Sequence, residues 1–191
     1  MNPWVWIAII VALVVVAGAT MLYLQQQRSR QLRARFGPEY ERSLQAAGDR
    51  RHAEAELLKR EERVEHLDIR PLSPQDRDRF AESWRSVQAQ FVDDPPRAIA
   101  AADQLVTEVM RVRGYPVTDF EQRAADISVD HPQVVDNYRA AYAVARRSGR
   151  GEATTEDLRQ AMVHYRALFQ DLLETEPAKE VNDDRVTHRA A

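Results

Sequence analysis

Ser73-Pro-Gln-Asp-Arg-Asp-Arg-Phe80-Ala-Glu-Ser-Trp84-Arg-Ser-Val87-Gln-Ala-Gln-Phe91 decides the fold class. Phe80, Trp84, Val87 and Phe91 stand at i, i+4, i+7 and i+11, one apolar stripe on an α-helix and no pattern for a strand. Ser73 offers an N-cap oxygen, and Pro74 takes the first helical position, where its missing N–H goes unneeded. A helix over 74–92 follows. Outward from it the same grammar repeats. Asp94 before Pro95-Pro96 restarts the chain as cap and first turn of a helix over 96–113, which turns Ala98, Ala102, Leu105, Val109 and Val112 inward and closes at Gly114.

Thr118-Asp-Phe-Glu121 reads as a capping box opening a short helix with Phe120, Ala124 and Ile127. Asp130-His131-Pro132 is expected to open the next, carrying Val134, Val135, Tyr138, Ala141, Tyr142 and Ala145, with Gly149 beyond its end. Thr154 starts the last, striped by Leu158, Ala161, Met162, Tyr165, Leu168, Phe169 and Leu172. No segment alternates like a strand and no repeat period is present. Residues 68–174 therefore predict an all-α domain, a compact bundle of about five helices. The tail 175–191 is polar and expected to be disordered.

Upstream the chemistry changes. Residues 4–24, from Trp4-Val-Trp6 to Leu22-Tyr-Leu24, hold no ionisable side chain but Tyr23 and are followed by Arg28, Arg30, Arg33 and Arg35. At about 1.5 Å per residue the run covers roughly 30 Å, the thickness of a bilayer's hydrocarbon core. This predicts one N-terminal transmembrane helix, preceded only by residues 1–3, with Trp4, Trp6 and Tyr23 near its interfaces. A cleavable secretory signal is the rival reading, encouraged by Ala17-Gly18-Ala19; the long apolar run and the missing basic n-region speak against it. With no Lys or Arg before the span and four Arg after it, the C-terminal domain is expected in the cytoplasm and the N-terminus outside.

Residues 25–67 form a juxtamembrane basic segment and charged helical connector. Helix is expected from Gln25 to Phe36, over 38–47 and over 50–67, with breaks at Gly37-Pro38 and Gly48-Asp49. Ala53, Leu57, Arg60, Val64 and Leu67 follow a heptad seam for only about two heptads. The seam suits a helix packing on its own domain; a weak homo-oligomer through 53–67 is the alternative.

Composition narrows function by exclusion. The 191 residues carry a net charge of −3, which disfavours a general nucleic-acid partner. Residues 25–70 hold 11 Lys+Arg against 9 Asp+Glu, whereas 71–174 hold 13 against 17, so the basic surplus sits beside the apolar run. There is no cysteine, hence no disulfide, thiolate chemistry or Cys-ligated metal. Two Lys against 25 Arg point to a GC-rich bacterial genome.

Leu32-Arg-Ala-Arg-Phe-Gly-Pro-Glu-Tyr40, Leu67-Asp-Ile-Arg-Pro-Leu-Ser73, Phe91-Val-Asp-Asp-Pro95, Arg113-Gly-Tyr-Pro116 and the block Phe120 to Arg139 carry a resemblance. Over about 32–173 the chain is similar to a family of uncharacterised bacterial proteins, membrane-anchored and helical. That resemblance implies the same architecture and brings no activity and no site residues.

Candidate chemistry is sparse. Asp126, Asp130 and His131 have ligand-type side chains at close spacing, but Asp130 also suits a helix cap and His131-Pro132 a first turn. Asp93-Asp94 reads the same way, as cap before cation site. His164, His52 and His66 have no His partner at i±4. Phosphate loops, nucleophile elbows, His-Glu-x-x-His pairs and dinucleotide fingerprints are missing from the sequence, so neither catalytic residues nor cofactors are assigned. Arg28, Arg30, Arg33 and Arg35 are expected at the membrane surface, each gaining about 1 kcal/mol against anionic lipid. The expectation is a non-catalytic interaction module at the inner face of a bacterial cell membrane, with lipid and a protein as partners. A ligand- or metal-responsive domain, or weak enzyme, using 113–142 is the alternative.

Overall fold

Apolar residues at helical spacing, punctuated by Gly, Pro and cap residues, give helices throughout. The computed structural model describes residues 3–174, the side chains of 3, 5–11 and 14 excepted. Among the described residues there are eight helices and no strand: α1 (Pro3–Phe36), α2 (Pro38–Ala47), α3 (Arg50–Glu65), α4 (Pro74–Asp93), α5 (Pro95–Arg113), α6 (Phe120–Asp130), α7 (Val135–Ser148) and α8 (Thr155–Glu174). The chain divides into two compact units, 1–57 and 58–191. The 175–191 tail lies outside the described residues.

In the first unit α1 runs unbroken through the change from apolar to basic sequence. Gly37 ends it with φ +49°, and Pro38 starts α2 at once. Gly48, at φ +67°, closes α2, and the Asp49 carboxylate accepts from the His52 N–H at 3.0 Å to open α3. Ser29, Leu32 and Phe36 on α1 are buried, as are Tyr40 on α2 and Ala53, Glu54 and Leu57 on α3. Ala53 and Leu57 of the heptad seam are thus covered within the single chain.

The N-terminal half of α1 is different. Among the described residues no helix is long and apolar enough to cross a membrane. The span expected over 4–24 takes in residues 5–11 and 14, whose side chains lie outside the described residues. What the structure gives of that expectation is the helix, not the membrane.

The second unit contains the five helices expected after Ser73. α5 is its centre, packing against α4, α7 and α8, while α7 packs on α8 and α6 on α7. Ala98, Ile99, Ala102, Val106, Val109 and Met110 of α5 are fully buried. Trp84 of α4 stacks on Phe169 of α8 with ring centres 4.7 Å apart, and Phe120 of α6 stacks on Tyr142 of α7 at 3.7 Å. Ser73, Asp94 and Thr154 cap α4, α5 and α8 through the N–H groups of Asp76, Arg97 and Asp157. One cap is shifted: Asp119, not Thr118, receives the Gln122 N–H at 3.0 Å, because α6 begins at Phe120 and Asp119 is the extended residue directly before it.

The turn after α5 is the tightest passage. Gly114 has φ +98°, and a Cβ there would come within 2.2 Å of the Asp68 carbonyl oxygen. The neighbouring Arg70 N–H donates to the Arg113 carbonyl at 2.9 Å, which fixes the 68–72 connector against the end of α5. Gly114→Ala combines left-handed strain with a backbone overlap, and is expected to cost about 3 kcal/mol. Gly48→Ala, where nothing lies within 4 Å, should cost about 1 kcal/mol. Urea unfolding of the purified chain, followed by circular dichroism, measures both.

Candidate functional site

The candidate residues Asp126, Asp130 and His131 gather where α6 stops. Pro132 lacks an N–H and pushes the residue before it out of the helical region, so α6 ends at Asp130 and His131 leaves with φ −126° and ψ +48°. This corrects the expected cap: Asp130 closes α6 rather than opening α7, which begins at Val135 with no side-chain cap. Freed from capping, the Asp130 carboxylate accepts from the Tyr115 hydroxyl at 2.7 Å. The His131 ring is buried, its Nδ1 paired with the Asp171 carboxylate near the end of α8. Its Nε2 has no partner among the described residues.

Arg113 completes the group. The residue is 1 % exposed, and its Nη1 donates to the Leu172 carbonyl oxygen at 2.7 Å. Leu172 belongs to the last turn of α8, whose carbonyls have no helical partner, so the guanidinium satisfies one and lies at the negative end of the helix dipole. Burial pulls the Arg113 guanidinium below its ordinary pKa, opposed by the negative charges of Asp130 and Asp171. Burial, and then the Asp130 carboxylate, raise the Tyr115 phenol far above its usual range. Tyr115 is therefore a fixed neutral donor, not a base or a nucleophile.

Asp126 stands apart. Its Oδ1 accepts from Gln122 Nε2 at 2.7 Å and faces Arg63 Nε at 3.1 Å, while Oδ2 is buried without a partner among the described residues. Burial raises this carboxyl, and the contacts from Gln122 and Arg63 oppose it without prevailing. Asp126, Asp130 and His131 thus each turn to a different partner. Among the described residues no group of three or more His, Asp or Glu is arranged to hold a metal ion.

Sequence reasoning missed Asp171, the partner of His131, and Arg113, which bonds the Leu172 carbonyl beside Asp171. A signal existed for Arg113, which follows Ala102, Val106 and Val109 on the buried stripe of α5. A charge on an apolar stripe marks a buried polar contact. Asp103 shares that habit: it lies one turn beyond Ile99, accepts from the Tyr165 hydroxyl at 2.9 Å and has its carboxyl raised by burial.

In the first unit Arg28, Arg30, Arg33 and Arg35 are all exposed. Arg33 pairs with Glu41 at 2.9 Å and lies over the Tyr40 ring, whereas Arg28 and Arg30 have no side-chain partner among the described residues. A second polar group sits below them. Glu54 Oε1 accepts from both the Tyr40 hydroxyl and Arg50 Nε at 2.8 Å. Burial pushes the Glu54 carboxyl up, but the bonds from Arg50, Ser29 and Tyr40 outweigh it and hold it below the ordinary value.

Comparison of the chain with protein-family models, with curated proteins and with solved structures finds no match. Function is read from the chain's own residues.

Two outcomes check this geometry in the purified chain. Arg113→Ala leaves a cavity and an unsatisfied Leu172 carbonyl, and is expected to cost about 3 kcal/mol, lowering the thermal midpoint by about 10 °C. Asp126→Asn keeps the shape of the protonated acid and removes the buried charge, so its midpoint should exceed the parent's at pH 7. Because the folded carboxyl is raised, the parent takes up a proton as pH falls through that value and the advantage shrinks. Scanning calorimetry from pH 7 downward reads the difference.

Proposed function

We propose that the chain is a single-pass membrane-anchored protein whose 68–174 domain serves as a non-catalytic interaction module at the cytoplasmic face of a bacterial membrane. One observation carries the reading. Met21, Leu22, Tyr23 and Leu24 are four consecutive helical residues, 73 %, 67 %, 65 % and 58 % exposed. Successive residues of a helix point about 100° apart, so these four sample its whole circumference. Trp4, Leu13, Val15 and Val16 are exposed to a similar degree. A helix apolar on every side has no wet face, and a groove on a partner protein would cover one side only. A bilayer covers all of them.

Charge supports the direction. The run from residue 4 to residue 24 contains no Asp, Glu, Lys or Arg, and the first ionised side chain after it is Arg28. Four arginines on the C-terminal side favour retention of that side in the cytoplasm. In the domain itself, the polar groups that a ligand-responsive reading would use are largely engaged within the fold: Tyr115 with Asp130, His131 with Asp171, and Asp126 with Gln122 and Arg63. This favours a surface-acting module over a catalytic one.

A reporter that is active only in the cytoplasm, fused after Ala191, should be active and should stay with membranes washed in alkaline carbonate. An exported reporter, or release of the chain by carbonate, overturns the anchor or its orientation. Replacing Arg28, Arg30, Arg33 and Arg35 together by Gln should lower the cytoplasmic signal severalfold, since that segment then loses its positive bias.

A further inference from the structure

Two adjoining cavities lie in the first unit, at the level where α1 leaves its apolar run. One, of about 240 Å³, is lined by Gln26, Ser29, Arg30, Arg33, Tyr40 and Arg50 among others. The other, of about 420 Å³, is lined by Leu22, Gln25, Gln26, Asp49, Arg50 and Arg51. Gln26 and Arg50 belong to both. From these walls we infer that the first unit binds the phosphodiester headgroup of an anionic glycerophospholipid, with Arg30 and Arg51 as its principal charged contacts. The inference rests on the membrane reading above and names the lipid chemistry that the anchor meets.

Position is the first argument. Leu22, Gln26, Ser29, Arg30 and Arg33 fall on one face of α1, so that face passes from apolar to amide to guanidinium within about three turns. Helical side chains lean toward the N-terminus of their helix, here toward the apolar run. Arg30 stands six residues past Leu24, about 9 Å along the axis, and a long side chain leaning back reaches the headgroup layer. Leu22 lines the wall where an acyl chain would begin.

Charge is the second argument. Four guanidinium groups line the two cavities, against Asp49 on the wall and the carboxylates of Glu41 and Glu54 behind it. Arg33 is committed to Glu41 and Arg50 to Glu54. Arg30 and Arg51 have no side-chain partner among the described residues. The surplus is one positive charge, which matches a phosphodiester monoanion and falls short of a dianionic free phosphate.

Preorganisation is the third. Glu54, itself buried, holds Arg50 Nε and the Tyr40 hydroxyl at 2.8 Å each, so the cavity floor is set before any ligand arrives. Arg50 and Arg51 are also the first residues of α3, whose free N–H groups add a positive dipole end toward the same space.

The test uses the full chain purified in detergent, with bound lipid counted by native mass spectrometry as phosphatidylglycerol or phosphatidylcholine is titrated in. Phosphatidylglycerol should be retained in preference. Arg30→Gln and Arg51→Gln should each lower its retention about five-fold. Arg28→Gln removes an exposed arginine that lines neither cavity and should lower retention clearly less than Arg30→Gln does. Equal losses for Arg28→Gln and Arg30→Gln, equal retention of phosphatidylcholine, or displacement of the lipid by inorganic phosphate each overturns the proposal. Carbonate extraction of the same chain separates the two readings: release from membranes defeats the anchor, whereas a chain that stays but shows no dependence on Arg30 defeats only the headgroup site.

Discussion

Burial of the Arg113 guanidinium at the open end of α8 is the constraint on which the second unit depends. A charge in an apolar interior is tolerated only when paired and hydrogen-bonded. Arg113 meets that condition in part: its Nη1 bonds the Leu172 carbonyl and the Asp130 and Asp171 carboxylates oppose the cost of burial, while Nε and Nη2 are buried without a partner among the described residues. The same last turn of α8 receives His131 through Asp171, and Tyr115 reaches across to Asp130. One helix end is thereby tied to the loop after α5 and to the turn after α6. Gly114, following Arg113, lets the Asp68 carbonyl come close enough for the connector to join the group. Moving any member exposes a charge or strands a carbonyl, so position is specified as well as stabilised.

Most of the second unit was legible because its information is local. The stripes of α4, α5 and α8 repeat at helical period, and Ser73, Asp94 and Thr154 each lie three residues before the amide they cap. Failures occurred where two local rules competed. Asp130-His131-Pro132 satisfies the grammar of a helix start, yet Ala124, Ile127 and Ser128 continue a buried helical face up to it, and Pro132 works equally well as a stop. The stop wins because Pro132 forces His131 out of the helical region at the end of α6, and α7 begins only at Val135. Thr118 and Asp119 are both good caps, and only the first turn of α6 decides between them.

The polar group was illegible for a different reason. Its partners, Arg113, His131 and Asp171, are brought together by the packing of α5, α6 and α8, and no spacing in the sequence encodes that meeting. The residue types could be recognised; their pairings could not. Asp126, Asp130 and His131 have ligand-type side chains within six positions, and Asp126 and Asp130 stand one turn apart on α6, but neighbours from other parts of the chain draw them apart: Arg63 to Asp126, Tyr115 to Asp130 and Asp171 to His131. The three accordingly found three separate partners. In the first unit the four arginines share one expectation from the sequence, a place at a membrane surface. Helical geometry divides them: Arg28 and Arg35 share one face, Arg30 and Arg33 another, and only the second pair lines a cavity.

Under the membrane reading proposed above, that division bears on what such an anchor would have to do. A helix that passes from an apolar run into a charged segment without a break has one continuous backbone in two environments, and nothing in its hydrogen bonding marks the boundary. Depth must be set by side chains. Positive charge alone sets it loosely, because an exposed guanidinium finds lipid phosphates over a range of depths and rotations. A cavity on one face, with Tyr40 and Arg50 already held by Glu54, favours a single rotation and a narrow range of depth. Gly37 and Pro38 make this arrangement possible in so short a segment. By ending α1 within two turns of Arg30, they turn Tyr40 back to the helix that carries the arginines. A straight continuation of α1 would keep the charges and lose the cavity.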